Sequence, residues 1–194
     1  MMKALDRWFY RQIAVWCVIF KRFDVAAEYW ERIRATAPND IQVLTALAHL
    51  KIEMGDKAAA MDLLRQALAL DPKQGNAWFN LGFLIQEQGQ HPEALEAFAR
   101  CLEIDEKNDR AWYGRALSLI KLERIDEAVV ALKRNTALQP MSPYGWYQLV
   151  HVYVRLGQRE LAEKAVRTLA KFEPKVALKL ESETGIKSGV KLPF

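Results

Sequence analysis

Gly75-Asn76-Ala77-Trp78-Phe79-Asn80-Leu81-Gly82 and, beyond Gly89-Gln90, Pro92-Glu93-Ala94-Leu95-Glu96-Ala97-Phe98 are the stretches that decide the fold. In the first, a bulky Trp78 stands four residues before the small Gly82. In the second, a small Ala94 stands four residues before the bulky Phe98. Residues four apart share one face of an α-helix, so each stretch reads as a helix, and large beside small lets the two pack closely. Gly89 between them suits the left-handed backbone of a helix end. The pattern returns every 34 residues in blocks starting at Arg7, Ile41, Gly75, Asp109 and Pro143. The twentieth residue of every block is alanine (Ala26, Ala60, Ala94, Ala128, Ala162), which chance explains poorly. The fourth is large (Tyr10, Leu44, Trp78, Trp112, Trp146) and the eighth small or compact (Ala14, Ala48, Gly82, Ala116, Val150). The twenty-fourth is again bulky (Trp30, Leu64, Phe98, Leu132, Val166). Proline ends four of the blocks at the thirty-second place (Pro38, Pro72, Pro140, Pro174), where it stops a helix.

Composition agrees with an all-α chain. Of 194 residues, 51% are apolar and 27% charged, as in folded proteins, and the nine glycines and seven prolines fall mostly between the periodic stretches. The period predicts first helices near 7–20, 41–54, 75–88, 109–122 and 143–156, and second helices near 24–36, 57–70, 91–104, 125–138 and 159–171. A short capping helix is expected over 174–184, started by Pro174 and stopped by Gly185, with a mobile tail beyond. The formal charge of +4 is not gathered into a basic stripe or a nucleic-acid-binding motif, so nucleic acid is not an expected partner. Cys17 and Cys101 stand at apolar helical positions and are expected as buried, reduced thiols. The longest apolar-rich run, Trp8 to Phe20, contains Arg11 and Gln12 and is too short to span a bilayer. It has no signal-type cleavage site, and the expected location is cytoplasmic.

These columns resemble the tetratricopeptide repeat family over residues 7–176. The resemblance implies an all-α, right-handed superhelical solenoid of five helical hairpins (7–40, 41–74, 75–108, 109–142, 143–176), preceded by a leader at 1–6 and followed by a capping helix and tail at 177–194. Four residues depart from the pattern: Lys51 and Arg115 at usually apolar places, Asn135 where a small residue is usual, and Glu106 in place of proline. In the family, stacked hairpins form a concave groove lined by the first helices. Carried onto this chain, the groove residues are Asn76, Phe79, Phe83, Arg110, Tyr113, Leu117, Tyr144, Tyr147 and His151. Aromatic rings with scattered hydrogen-bonding groups suit a peptide or helix of a partner protein, so the resemblance implies an interaction scaffold. A charge gradient along the groove, from Glu53 and Glu87 to Lys121 and Arg155, would match a ligand of opposite polarity, although solvated rim charges explain it as well. The family's two-carboxylate clamp is not expected, because Thr45, His49 and Gly114 replace three of its members.

No enzymatic activity, cofactor or metal is expected. His49 and His151 occupy equivalent places three hairpins apart, about 25–30 Å at the usual spacing of packed helices, far beyond a shared metal ion. Phosphate-cradling loops and nucleophile elbows do not occur in the sequence. The N-terminal helix is unusual because Trp8, Phe9, Val15, Trp16 and Ile19, with Val18 and Phe20, make it apolar on nearly every side. Such a face implies a partner. Self-association as a homodimer through the N-terminal hairpin is one expectation, and a partner subunit another. The alternative is a membrane-peripheral adaptor held by this helix with Lys3, Arg7, Arg11, Lys21 and Arg22, unless the helix is buried by its own hairpin.

Overall fold

A computed structural model describes residues 4–190 as eleven α-helices with no strand. They are α1 (Ala4–Ile19), α2 (Phe23–Arg34), α3 (Ile41–Glu53), α4 (Lys57–Leu70), α5 (Gly75–Glu87), α6 (His91–Ile104), α7 (Asp109–Lys121), α8 (Ile125–Leu138), α9 (Pro143–Arg155), α10 (Arg159–Ala170) and α11 (Pro174–Thr184). Ten of them pair as the period of 34 requires. The first begins at Ala4, three residues inside the segment read as a leader.

Helix starts follow side-chain chemistry. Asp40 Oδ1 accepts from the amides of Gln42 and Val43, Asp56 from Ala59 and Asn108 from Ala111, each satisfying donors that a first turn leaves unpaired. The turn inside every hairpin is left-handed at the fifteenth place of the block. Gly55, Gly89 and Gly157 take it freely, whereas Lys21 (φ 55°) and Glu123 (φ 59°) take it against the steric preference of a side chain.

The alanine column is the closest packing point: Ala26, Ala60, Ala94, Ala128 and Ala162 are all 0% exposed. Nothing larger fits there without displacing a neighbouring helix. The tryptophan column has a second role. The indole Nε1 of Trp78, Trp112 and Trp146 donates to the carbonyl of Pro72, Glu106 and Pro140 at 2.8, 2.8 and 2.9 Å. The carbonyl, not the proline ring, is what this bond needs, so Glu106 can replace proline without losing it.

The chain divides into two compact units, Met1–Gln88 and Gly89–Phe194, the boundary falling at the turn between α5 and α6. In the second unit, Ala116, Leu119, Leu132, Leu149, Val152, Val166 and Leu169 continue into Ala177, Leu180 and Ile186 as one apolar core. Two glycines let it close. A Cβ on Gly114 would sit 2.5 Å from Phe98 Cζ, and one on Gly145 would sit 2.1 Å from Asn135 Oδ1. Asn135 also donates to the Asp109 carbonyl at 2.9 Å, so α8 ties the start of α7 to the start of α9.

Two expectations are corrected here. The chain past Gly185 is not a mobile tail as far as Val190: Ile186 and Ser188 are buried, and Ser188 donates through its amide and hydroxyl to Glu181 at 2.9 and 2.5 Å. Those bonds hold the Glu181 carboxyl below the usual glutamate range. Residues 191–194 of that expected tail lie outside the described residues. Cys101 is buried as expected, but Cys17 is only half-buried, because an end helix has a neighbouring hairpin on one side alone. Neither cysteine is in a disulfide.

Candidate functional site

Helix α7 presents Arg110, Tyr113 and Leu117 on one face, and α9 presents Tyr144, Tyr147 and His151. The structure brings the aromatic members together in the second unit. The Tyr113 and Tyr144 rings lie 6.4 Å apart, tilted at 60°, and Tyr147 meets the His151 ring at 4.7 Å. Such inclined ring pairs are favourable because the electron-poor edge of one faces the electron-rich face of the other. Asn76, Phe79 and Phe83 belong to α5 of the first unit, where Asn76 and Phe83 are exposed and Phe79 is half-buried.

Helix α11 supplies a wall that the periodic reading missed. Tyr147 donates its hydroxyl to Glu183 at 2.7 Å, and His151 Nε2 lies 3.3 Å from the same carboxylate. Lys179 stands 3.6 Å from Glu183 and 5.5 Å from the centre of the Tyr147 ring. The carboxylate pushes the Tyr147 hydroxyl up, and the Tyr147 hydrogen bond, then Lys179 and His151, hold Glu183 down. A cavity of about 320 Å³ opens between these helices, lined by Tyr113, Pro143, Tyr144, Tyr147, Gln148, Val176 and Lys179. Burial raises the Tyr113 hydroxyl, and a hydrogen bond with Gln148 partly offsets it. Pro143 and Gln148 stand on α9 outside the columns that mark the groove, and Val176, Lys179 and Glu183 lie on α11, which starts at the end of the last repeat and runs beyond it. Only their contacts identify them.

The groove charges divide. Glu87 pairs with Lys57 at 3.2 Å and Arg155 pairs with Glu123, so half of the expected gradient is engaged with the protein itself. On α1, Trp8, Phe9, Val15, Trp16 and Ile19 are each about half exposed or more, as are Leu5 and Phe20. The buried alternative therefore does not hold for this face. Trp16 and Phe20 stack at 6.2 Å on its surface. Among the described residues, no cluster of three or more His, Cys, Asp or Glu could hold a metal ion, and no helix is long and apolar enough to cross a membrane.

Comparison with known proteins places this architecture. Three family models, each described as tetratricopeptide repeat, match residues 45–109, 86–147 and 143–176. No curated protein matches the sequence. Among solved structures, MamA residues 41 to the end from Desulfovibrio magneticus RS-1 is 19% identical with a TM-score of 0.82, covering 90% of this chain and 98% of that one. A crystal structure of MamA protein is 19% identical with a TM-score of 0.75, covering 98% and 100%. The crystal structure of YrrB, described as a TPR protein with an unusual peptide-binding site, is 18% identical with a TM-score of 0.76, covering 89% and 90%. At such identities the likeness extends to the fold and no further. The repeat models, the buried alanine column and the paired helices together make this chain a member of the tetratricopeptide repeat family.

Proposed function

We propose that the chain is a protein-interaction scaffold that holds a peptide or helix of a partner against the face built by α7, α9 and α11. The observation carrying this reading is the aromatic cavity bounded by Tyr113, Tyr144 and Tyr147, with Gln148 and Lys179 at its polar edge. Flat apolar rings with a few fixed polar groups capture side chains at little entropic cost, and such anchors dominate interface energies. Arg110, Leu117 and His151 extend the same face, and within the first unit Asn76, Phe79 and Phe83 of α5 are proposed by themselves as interaction residues. A protein of this fold, YrrB, is described as having a peptide-binding site, which supports the reading. The test is capture of partners from the native host by the wild-type chain and by Tyr113→Ala and Tyr144→Ala, with affinities measured for what is captured. Loss of one central aromatic anchor, worth about 2 kcal/mol, corresponds to roughly thirtyfold weaker binding at nearly unchanged melting temperature. Equal capture by both variants would move the site elsewhere.

The exposed face of α1 favours a second reading, self-association of two copies through their N-terminal hairpins. The membrane alternative needs free basic residues beside the apolar face. Of the basic residues named for it, Arg11 is held by Asp40 at 2.5 Å and by Gln42 at 3.0 Å, lying over the Trp30 ring, and Arg22 lies 3.9 Å from Asp24, which leaves Arg7 and Lys21 for that role. Lys3 lies outside the described residues. A self-complementary apolar patch is most simply closed by a two-fold pair.

A further inference from the structure

The four departures from the repeat pattern have different fates. Lys51 pairs with Asp56, the residue that caps α4, at 3.5 Å. Asn135 is absorbed by the Asp109 carbonyl and by Gly145, and Glu106 keeps the carbonyl that Trp112 needs. Arg115 is different. It occupies the seventh place of its block, where Ile13, Leu47, Leu81 and Leu149 stand in the others, and Leu47, Leu81 and Leu149 are buried in the core. Its guanidinium lies 5.7 Å from the centre of the Trp112 ring. Among the described residues no carboxylate lies within ion-pairing distance of it. Its charge is felt by Glu127, whose oxygens are already taken by Arg124 at 2.6 and 2.8 Å.

Arg115 lines a cavity of about 560 Å³ together with Trp112, Arg134, Glu103, Glu106 and Lys107, over an apolar floor that includes Leu102 and Leu138. At 100° per residue, Trp112 and Arg115 point away from Tyr113 and Leu117, so this cavity lies on the side of α7 opposite the aromatic face. Its charges do not balance. Glu103 is engaged by Arg100 at 2.9 Å, which leaves three cations, Lys107, Arg115 and Arg134, against the single carboxylate of Glu106 in the lining. Replacing a core leucine by a half-buried cation with no ion partner costs stability, and such local violations are expected where a ligand completes the site.

We propose that this cavity is a second binding site, for a carboxylate carried beside an aliphatic side chain on a peptide. The two guanidinium groups present planar donors to the carboxylate, and the indole with the leucines and alanines below receives the aliphatic neighbour. The carboxylate comes from an acidic side chain or from a chain end, and the chemistry is the same for both.

The test titrates the full chain with three probes: a capped peptide alternating leucine and glutamate, its glutamine counterpart, and that glutamine peptide with a free C-terminus. Binding is read from Trp112 indole NMR shifts, in wild type, Arg115→Leu, Arg134→Gln and Tyr113→Ala. The expected result is saturable binding of the glutamate peptide, weakened about tenfold or more by either arginine substitution and by raised salt, and unchanged by Tyr113→Ala. Binding of the free C-terminus in place of, or besides, the glutamate peptide identifies the chain end as the source of the carboxylate and equally supports the site. Arg115→Leu is further expected to melt at a higher temperature than wild type, as restoring the column's leucine should. Equal binding of the capped glutamine peptide, arginine variants that bind like wild type, or loss of binding in Tyr113→Ala alone would each overturn the proposal. Because the two faces lie on opposite sides of α7, failure here leaves the aromatic-face reading standing, and the converse holds.

Discussion

The two ends of the chain solve the same problem in opposite ways. Among the described residues each outer hairpin packs against another hairpin on one side only, and its other side treats its apolar surface differently. At the C-terminal end, α11 lays Ala177 and Leu180 on the last hairpin, and residues 186–190 fold back to bury Ile186 and to bond Ser188 to Glu181. At the N-terminal end, α1 keeps Leu5, Trp8, Phe9, Val15, Trp16, Ile19 and Phe20 exposed. One end is closed by its own chain. The other presents the kind of surface that a second molecule closes, which is why the homodimer is proposed there.

The largest expected effect tests the closed end. Leu180→Ala removes a fully buried side chain from the contact of α11 and should cost about 2–5 kcal/mol, with hydrogen-exchange protection lost first in α11, α9 and α10. Uniform loss throughout both units would show that the cap is not a local device. At the open end, Trp8→Glu/Trp16→Glu should leave the melting temperature of the monomer nearly unchanged. The same pair should weaken self-association roughly a hundredfold or more, since each large apolar side chain buried contributes about 1.5–3 kcal/mol. Sedimentation velocity over a wide concentration range reads this directly. A wild-type chain that stays monomeric would erase the proposed difference in occupancy between the ends, and a dimer indifferent to the glutamates would place the contact elsewhere.

Smaller effects sharpen the comparison. Lys21 turns the first hairpin at φ 55°, where three of the other four hairpins use glycine, so Lys21→Gly should stabilise the open end by about 1 kcal/mol in denaturant titration. Glu123→Gly relieves the same strain but loses the exposed pair with Arg155, and should gain less. The smallest effect is acid sensitivity of the cap. Folding lowers Glu183, first through the Tyr147 hydroxyl, so its contribution is whole at neutral pH and is lost as the pH falls through and below the usual glutamate range. Exchange of α11 amides should quicken over that window in wild type and not in Glu183→Gln. Equal acid response in both would mean that the bond to Tyr147 does not tether α11.

Much of the fold is legible because each hairpin repeats the same local problem. Ala26, Ala60, Ala94, Ala128 and Ala162 had to be small for one reason, close helix crossing, and five copies of one reason make a period. The aromatic face was legible only in part. Tyr113, Tyr144 and Tyr147 follow from their places in the repeat, whereas Val176 closes the last repeat outside the groove columns, and Lys179 and Glu183 stand after it, where no column predicts them. The bond from each tryptophan indole to the preceding turn was also hidden, since the acceptor is a backbone carbonyl that every residue type carries.

What the amino-acid order determined by itself is therefore the helices, their pairing and the turns between them, because those depend on contacts a few residues apart or one repeat away. Tertiary structure alone decided which surfaces were left over. The exposure of Trp8 and Trp16, the closure of α11 over Tyr147 and the meeting of Arg115 with Arg134 in one cavity depend on which side chains from distant helices reach the same space. A periodic pattern cannot specify that, because surface and core positions recur with the same spacing while their neighbours change from one hairpin to the next.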